Sequence, residues 1–230
     1  MRKWLTVLAV LGFACTASAN TLFDVGGFEG YALGDLPGQD GWVDDTTDPA
    51  YGVVQVMTDP TGAGMGNVIE LDPPGTAGGW LGAARPFGPS ALPIVTIEWD
   101  QYRTGVTDNL WVADSVAFDG WWAMQWDQNF QASSYFFDFG VPVSTGVWQH
   151  VIYTLDTVGG SATVEIVGVG SFSSAQPDTA IDGIVFELEP SESGGADGPT
   201  YIDNLMVTQT PEPASLALLA LGGLALLRRR

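Results

Sequence analysis

An aromatic cluster near the middle of the chain is the densest group of side chains able to bind a ligand. Trp121, Trp122 and Trp126 lie between Asp119 and Gln128. Sugar rings stack on exposed aromatic faces that carboxylates and amides flank. Trp121 and Trp122 are adjacent, so in a strand they face opposite sides and at most one enters the core. We predict a ligand-facing loop here, although packing of most of these rings between two sheets would also explain the cluster.

Two pairs of carboxylates stand at alternate positions, which places the members of each pair on one strand face. These pairs are Glu98 with Asp100, and Glu187 with Glu189. A retaining glycosidase needs two carboxyl groups about 5 Å apart, so such pairs could act as acid and nucleophile. A polar outer strand face explains them more simply, and we favour that interpretation.

His150 is the only histidine of the chain. By alternation it falls on the same strand side as Trp148 and Ile152. No serine or cysteine nucleophile system accompanies it, so we predict a structural role rather than a catalytic one.

The elements that would position these side chains are short strands. Apolar and polar residues alternate with period 2, as where Val95, Ile97 and Trp99 point one way and Glu98 and Asp100 the other. Gly, Pro and Asp turns separate these stretches, and no convincing helix appears among them. About ten short antiparallel strands imply an all-β fold, a two-sheet antiparallel β-sandwich of jelly-roll type. The predicted strands lie at 52–58, 67–71, 80–85, 95–102, 110–118, 134–139, 147–155, 163–166, 184–189 and 201–207.

The N-terminus has the pattern of a secretory signal peptide. A basic start at Met1–Lys3 precedes an apolar stretch from Trp4 to Ala14. The small residues Ala17 and Ala19 provide a cleavage site before Asn20.

The only cysteine, Cys15, lies inside this segment. Gly12 stands three positions before it, where a lipoprotein signal has an aliphatic residue, so lipidation is disfavoured. Removal of residues 1–19 leaves no thiol, which excludes disulfides and cysteine-ligated metals from the exported part.

The C-terminus has three parts, a polar-turn motif, an apolar run and a basic cluster: Pro211, Glu212 and Pro213; Ala214 to Leu227; and Arg228, Arg229 and Arg230. As a helix the apolar run spans about 21 Å, short of the roughly 30 Å hydrocarbon core. The arginines would stay cytoplasmic, which places the residues before the motif outside. Such a mismatched span suits a transient stop-transfer segment. A buried core helix is disfavoured because the run is apolar on all sides.

This ending resembles the PEP-CTERM sorting signal of bacteria that export proteins into an extracellular matrix. The resemblance implies that an exosortase, a membrane transpeptidase-like enzyme, recognises the Pro-Glu-Pro motif and removes the tail. It predicts a cell-surface or matrix protein that spans the membrane with a C-terminal transmembrane helix only before processing. The predicted organisation is a signal peptide at 1–19, a β-sandwich domain at 20–208 and a sorting signal at 209–230.

The exported part is strongly acidic. Between residues 20 and 210, two arginines (Arg85 and Arg103) against 26 acidic residues leave a formal charge of −24. Such a surface repels nucleic acid and anionic lipid, so nucleic-acid binding is excluded. It would attract divalent cations or tolerate high salt.

Three further motifs resemble exported jelly-roll domains. Phe28–Tyr31 with Gly38–Trp42 resembles the opening of such domains in PEP-CTERM proteins. Trp148–Val151 followed by Asp156 resembles a strand of laminin-G-like and concanavalin A-like domains, and Tyr201–Leu205 resembles their closing strand. The resemblance implies a concanavalin A-like sandwich. Many such folds bind glycans, some hydrolyse them and some do neither.

The hydrolases of this resemblance carry a motif that the chain lacks. Laminarinase-type sandwich hydrolases have Glu-x-Asp-x-x-Glu or a one-shorter variant. Here Glu98 and Asp100 are followed by Tyr102 and Arg103, so the acid/base Glu is missing at either spacing. We therefore predict a protein that is not an enzyme.

Glu29 and Asp203 form the predicted metal site. In the carbohydrate-binding modules that the chain resembles, a Glu near the first strand and an Asp in the last often share a structural Ca²⁺. Carboxylate and carbonyl oxygens are the ligands that Ca²⁺ prefers. The alternative is that Glu29 caps a turn and Asp203 hydrogen-bonds a neighbouring loop.

Together these features predict an exported, non-enzymatic β-sandwich that associates with exopolysaccharide. The partners implied are an exosortase, a polysaccharide and, transiently, the membrane. One alternative is a structural matrix protein that self-associates through cation-bridged acidic faces. A second is a glycoside hydrolase of concanavalin A-like fold.

Overall fold

A computed structural model describes residues 19–72, 79–105, 109–113, 122–126, 131–134, 137–142, 144–175, 181–189 and 198–211 of the 230-residue chain. Within these ranges the chain is built from strands joined by turns, with one 3₁₀ turn at Pro49–Tyr51. The strands are β1 (Asn20–Asp24), β2 (Gly34–Asp35), β3 (Val43–Asp44), β4 (Gln55–Thr58), β5 (Asn67–Leu71), β6 (Leu81–Pro86), β7 (Ile94–Arg103), β8 (Asn109–Ala113), β9 (Trp122–Trp126), β10 (Gln131–Ser134), β11 (Phe137–Pro142), β12 (Trp148–Asp156), β13 (Ser161–Ile166), β14 (Gly170–Ala175), β15 (Gly183–Glu189) and β16 (Thr200–Thr210).

The strands form two antiparallel sheets. The larger sheet has nine strands in the order β14-β13-β12-β7-β16-β5-β4-β2, with β1 also paired to β16. The smaller has seven in the order β11-β10-β9-β8-β15-β6-β3. The two sheets together make a β-sandwich, and the predicted all-β, two-sheet fold class is confirmed.

The long strands at the centre of the larger sheet show why the chain folds this way. Along β7 and β12 every second residue is buried, so each strand has one apolar face. Val95, Ile97 and Trp99 enter the core from β7, and the Trp99 ring meets that of Phe186 on β15 with centroids 5.9 Å apart. Apolar side chains of period 2 on two facing sheets therefore bury each other.

Some strands depart from the predicted pattern. The short or weakly alternating strands β1, β2, β3, β10 and β14 were not predicted, because their sequences lack a clear apolar face. The predicted ligand-facing loop is also partly wrong, since Trp122–Trp126 form strand β9. On β15, Val185 and Glu187 are buried like their neighbours, so the polar outer face predicted for Glu187 is wrong too.

Both ends of the described sandwich lie side by side. Asn20 pairs with Gln209 and Thr21 with Thr208, so β1 begins where β16 ends. Strand β16 runs to Thr210, two residues past the predicted domain boundary at 208. In the described ranges we find no helix with the length and apolar character needed to cross a membrane, and the apolar run 214–227 lies outside them.

Candidate functional site

Three aromatic side chains form a row across the outer face of the larger sheet. Trp148 on β12 pairs with Tyr102 on β7, and Tyr102 pairs with Tyr201 on β16. The ring centroids are 5.6 Å apart for Trp148 and Tyr102 and 6.2 Å apart for Tyr102 and Tyr201. Trp148 and Tyr102 are half-buried and Tyr201 is buried, so solvent reaches the row at Trp148 and Tyr102.

Polar groups hold both ends of this aromatic row. The indole Nε1 of Trp148 donates to Thr61 Oγ1 at 3.0 Å, which brings the β4–β5 loop over the sheet. At the other end, burial, together with the charge and hydrogen bond of Glu70, raises the pKa of Tyr201 to about 12. Burial also raises the pKa of Glu70. The rings are thus flanked by a hydroxyl and a carboxyl group, the usual setting of a sugar-stacking surface.

The β4–β5 loop is rigidified by Asp59. Its carboxylate accepts hydrogen bonds from the backbone N–H groups of Thr61 at 2.8 Å, Gly64 at 3.0 Å and Met65 at 3.2 Å. Burial opposes ionisation, but these hydrogen bonds outweigh it and lower the pKa of Asp59. A carboxylate that accepts several N–H donors fixes the loop and with it the position of the Thr61 hydroxyl over Trp148.

A row of charged and polar side chains lies next to the aromatic row, two residues further along each strand. His150 Nδ1 lies 2.7 Å from Asp100 Oδ1, and His150 Nε2 lies 3.6 Å from Glu98 Oε2. Asn204 Nδ2 donates to Asp100 Oδ2 at 2.6 Å. Asp100 therefore orients the imidazole and is itself oriented by Asn204, in keeping with a structural role for the histidine.

Asp203 lies on the same face as Tyr201, two residues earlier on β16, and the strand bulges directly after it. Asp203 pairs with Asp100 and Met206 pairs with Glu98, so three steps along β16 match two steps along β7. Within this bulge Asn204 takes a left-handed φ of 51°. Such a bulge redirects the side chains of the strand. Asp203 is 1% exposed, and its Oδ1 atom has no hydrogen-bond partner.

Glu29 lies close to Asp203, as the sequence predicted. Burial, together with the charges of Glu29 and Asp100, raises the pKa of Asp203 to about 6, although backbone N–H donors act in the opposite direction. The Glu29 carboxylate sits against Gly27 and Gly66, where a Cβ atom would overlap its oxygens. Both glycines have a left-handed φ, so the backbone is shaped around this carboxylate.

The donor set of this pair suits Ca²⁺ better than transition metals. Glu29 and Asp203 supply hard carboxylate oxygens, and one Asp203 oxygen is buried without a partner. Among the residues that the structure describes, no group of three or more His, Cys, Asp or Glu side chains could hold a metal ion. A Ca²⁺ ion here would therefore need backbone carbonyls or water as its remaining ligands.

A second pair of carboxyl groups lies on the smaller sheet. Glu187 is 1% exposed and packs over Gly82, where a Cβ would come within 2.8 Å of the Glu187 side chain. Burial, together with the hydrogen bond and charge of Asp45, raises the pKa of Glu187 to about 10. Burial raises the pKa of Asp45 as well. Glu187 is consequently protonated at neutral pH and hydrogen-bonds Asp45 as a neutral acid.

Several predicted site residues lie outside the described part of the chain. Two of the predicted ligand-binding residues, Trp122 and Trp126, begin and end strand β9, for which the structure describes the backbone. The other three lie outside the described residues: Asp119, Trp121 and Gln128. Pro211 is described and follows β16 directly. The remaining predicted processing residues lie outside: Ala17, Ala19, Glu212, Pro213, Arg228, Arg229 and Arg230.

The aromatic row is the feature that the sequence did not single out. Alternation placed Tyr102 on the polar side of β7 and Trp148 on the side of His150. It could not show that β7 lies between β12 and β16, which are far apart along the chain. The resemblance of Trp148–Val151 and Tyr201–Leu205 to sandwich strands was the available signal.

Comparison with known families assigns the C-terminus. Residues 209–230 match the family model described as the PEP-CTERM protein-sorting motif. The chain carries a PEP-CTERM sorting motif. This motif implies an exported, cell-surface protein that an exosortase processes. Its first two residues, Gln209 and Thr210, are also the last two of β16, so the PEP-CTERM motif begins inside the folded sandwich.

Solved structures resemble the sandwich at low sequence identity. A structure titled sialidase matches with a TM-score of 0.60 and 14% identity, over 83% of this chain and 19% of that chain. Domain 4 of AbnA, a GH43 extracellular arabinanase from Geobacillus stearothermophilus solved with arabinotriose, matches with a TM-score of 0.50 and 18% identity, over 88% of this chain and 98% of that domain. The PEP-CTERM chain thus spans about a fifth of the sialidase chain.

At these identities the matches show a β-sandwich fold and do not show an enzyme. No curated protein matches the chain in sequence.

Proposed function

We propose that this chain is a non-enzymatic surface protein whose β-sandwich associates with extracellular polysaccharide. Export by the signal at 1–19 and processing of the PEP-CTERM motif would deliver residues 20–208 to the cell surface or matrix. The C-terminal run 214–227 would hold the chain in the membrane until an exosortase removes it.

The single observation that carries the binding proposal is the aromatic row of Trp148, Tyr102 and Tyr201. The half-buried rings of Trp148 and Tyr102, with the buried Tyr201 ring beside them, offer a strip on one sheet face on which a sugar can stack. Glu70 at one end can hydrogen-bond a sugar hydroxyl. The Thr61 hydroxyl at the other end is already engaged by Asp59, Ala63 and Trp148 and fixes the Trp148 ring. The formal charge of −24 between residues 20 and 210 favours neutral over anionic polysaccharide, because like charges repel.

We further propose that Glu29 and Asp203 hold a structural Ca²⁺. The support is a buried Asp203 oxygen without a partner, next to a Glu29 carboxylate that two glycines accommodate. Such an ion would neutralise carboxylates beside the aromatic row and fix the bulge of β16. It would supply no chemistry to a substrate.

A pull-down on insoluble neutral polysaccharides tests the binding proposal. We expect the chain from Asn20 to bind at least one of them, and Trp148→Ala to lose binding by about fivefold because stacking of a sugar on an aromatic ring contributes on the order of 1 kcal/mol. Trp122→Ala is the matched variant for the aromatic cluster predicted from sequence. Loss on Trp122→Ala with binding retained on Trp148→Ala would move the site to that cluster.

Failure of every polysaccharide to bind would contradict the proposal. Assembly of the protein that requires Ca²⁺, with no glycan bound, would instead favour a self-associating matrix protein. Release of reducing sugar from any of the polysaccharides would contradict the absence of enzymatic activity. Each variant is first compared with the parent chain by circular dichroism, so that loss of fold is separated from loss of binding.

A further inference from the structure

The end of the sandwich from which both termini leave has a distinctive surface. Strand β1 begins at Asn20, beside Gln209 and Thr210 at the end of β16. Thr210 in turn pairs with Ile94 at the start of β7, and Ile94 with Asp156 at the end of β12. The ends of β1, β16, β7 and β12 therefore lie side by side at one end of the larger sheet, and we call this end of the sandwich the terminal edge.

Two turns project beyond the terminal edge. The segment 90–93 precedes Ile94 and is held to β16 by Gln209, whose Oε1 accepts from the backbone N–H groups of Ala91 at 2.8 Å and Leu92 at 3.0 Å. The turn 157–160 follows Asp156 and is fastened to the first segment by the Thr157 N–H, which donates to Pro93 O at 2.9 Å. Both turns therefore adjoin strand ends that pair with or beside Thr210.

The described surface of the terminal edge carries few charges. In a region of formal charge −24, the acidic side chain described at the ends of β7, β12 and β16 is Asp156, and on the side of the smaller sheet they are Asp182 and Asp40, the latter ion-paired with Arg85. The Asp156 carboxylate accepts hydrogen bonds from the N–H groups of Val158 and Gly159 within its own turn. Val158 at the tip of this turn is 71% exposed, the highest value among the large hydrophobic residues that the structure describes. The connections 114–121 and 176–180 also leave strands near this end and lie outside the described residues.

The short distance to the apolar run determines what this surface meets. Three residues, Pro211, Glu212 and Pro213, separate Thr210 from Ala214. Fully extended, this connection reaches at most about 14 Å between the two Cα atoms. The headgroup layer of one leaflet is roughly 5–8 Å thick. Proline at two of the three positions favours an extended path that continues the direction of β16.

We propose that the terminal edge docks against the phospholipid headgroup layer while the apolar run 214–227 is in the membrane. The inference rests on the proposed membrane insertion of that run. Because the connection to the apolar run is only three residues long, the turns 90–93 and 157–160 meet the headgroups. A surface with few charges and with Val158 at the tip of one turn suits that contact. The aromatic row, which lies towards the opposite ends of β7, β12 and β16, then faces away from the membrane.

Site-specific fluorescence on vesicles tests this placement. The chain from Asn20 to Arg230 retains every described strand and has no cysteine, so one introduced thiol can be labelled cleanly. Val158→Cys and Leu33→Cys would each carry an environment-sensitive dye. Leu33 is 63% exposed and precedes β2, on the opposite part of the larger sheet, which makes it the matched control. The vesicles contain phosphatidylcholine, phosphatidylglycerol and a lipid with a headgroup-attached quencher.

We expect a blue shift and strong quenching at position 158, with neither at position 33. A Gly-Ser linker of ten residues between Thr210 and Pro211, with a root-mean-square length on the order of 17 Å, should abolish the quenching at position 158 while the protein still floats with the vesicles. Equal quenching at both positions in protein that floats, or quenching unaffected by the linker, would overturn the docking proposal alone. Protein that does not float would overturn the proposed membrane insertion, and the docking proposal with it. A chain ending at Thr210 shows the flotation background.

Discussion

At the residue scale, the structure contains carboxyl groups in two different environments. On the outer face of the larger sheet, Asp203 lies beside Glu29 with a buried oxygen that has no partner. On the smaller sheet, Glu187 is buried beside Asp45 and is neutral at physiological pH. The first arrangement suits a cation and the second suits a proton, so the two sites respond differently to pH and to Ca²⁺.

Glu187 should make the protein less stable as the pH rises. Its folded pKa of about 10 lies above the ordinary glutamate value of 4.5, so its contribution to stability is fully present below the unfolded pKa and is lost as the pH rises through the folded pKa. Over the pH range in which Glu187 alone titrates, the free energy of unfolding falls by at most about 1.4 kcal/mol per pH unit. Glu187→Gln cannot ionise, and we expect it to flatten the fall of the unfolding temperature between pH 5 and pH 9, as measured by circular dichroism.

Glu165→Gln is the control for this prediction, because Glu165 is exposed on the outer face of β13. It should leave the pH profile unchanged. A Glu187→Gln profile parallel to that of the parent chain would show that the buried carboxyl is not the responsible group.

Asp203 should be required for stabilisation by Ca²⁺. An ion that binds only the folded state raises stability by about 2.7 kcal/mol at one hundred times its Kd. We expect the unfolding temperature of the parent chain to rise with millimolar CaCl₂ relative to EDTA, and that of Asp203→Asn not to respond. Glu165→Gln should respond like the parent. No response of the parent chain, or an equal one in Asp203→Asn, would contradict the Ca²⁺ proposal.

At the element scale, the predicted alternation of β7 and β12 is confirmed, while that of β15 is not. Along β7 the polar side chains of Glu98 and Asp100 lie on the outer face, as predicted. Along β15, Val185 and Glu187 are buried despite their outward positions. A period of 2 shows which residues share a face, but it does not show whether other parts of the chain cover that face.

Gln209 should be the residue through which β16 holds the segment 90–93. It is 4% exposed, and its side chain accepts from the Ala91 and Leu92 N–H groups. Gln209→Ala removes both acceptors, and we expect a loss of about 1–3 kcal/mol in the free energy of unfolding, measured in urea.

Thr208→Ala, one residue earlier on β16, provides the comparison for Gln209→Ala. Thr208 is half-buried on the outer face of the sheet, and its truncation should cost less than that of Gln209. Equal losses in the two variants would mean that the effect comes from the strand as a whole and not from the two hydrogen bonds.

At the scale of the whole molecule, charge repulsion should dominate the response to salt. The 26 acidic residues between 20 and 210 face only two arginines. Raising ionic strength from 0.1 M to 1 M shortens the Debye length from about 10 Å to about 3 Å, which screens this repulsion. We therefore expect the unfolding temperature of the chain from Asn20 to rise over this range of NaCl.

KCl should act like NaCl, because screening depends on ionic strength and not on ion identity. Thermal unfolding followed by tryptophan fluorescence measures both series. An unfolding temperature independent of salt would show that the acidic residues are too far apart, or too well hydrated, to repel each other in the folded state.

How far the candidate site could be predicted differs between its parts. Glu29 and Asp203 were paired through resemblance, and the structure brings them close together. The aromatic row of Trp148, Tyr102 and Tyr201 was not predicted, although all three residues were assigned to strands. Its formation depends on β7 lying between β12 and β16 in one particular register, which is a long-range property.

The sequence by itself determined the all-β class and the acidic surface, as well as the motif at 209–230, because composition and local periodicity carry that information. The tertiary structure alone decided that the aromatic rings form a row, that Glu187 is buried and that both chain ends leave the same edge. The physical reason is that hydrogen-bond register and the bulge at Asn204 arise between distant segments, whereas alternation within a strand is local.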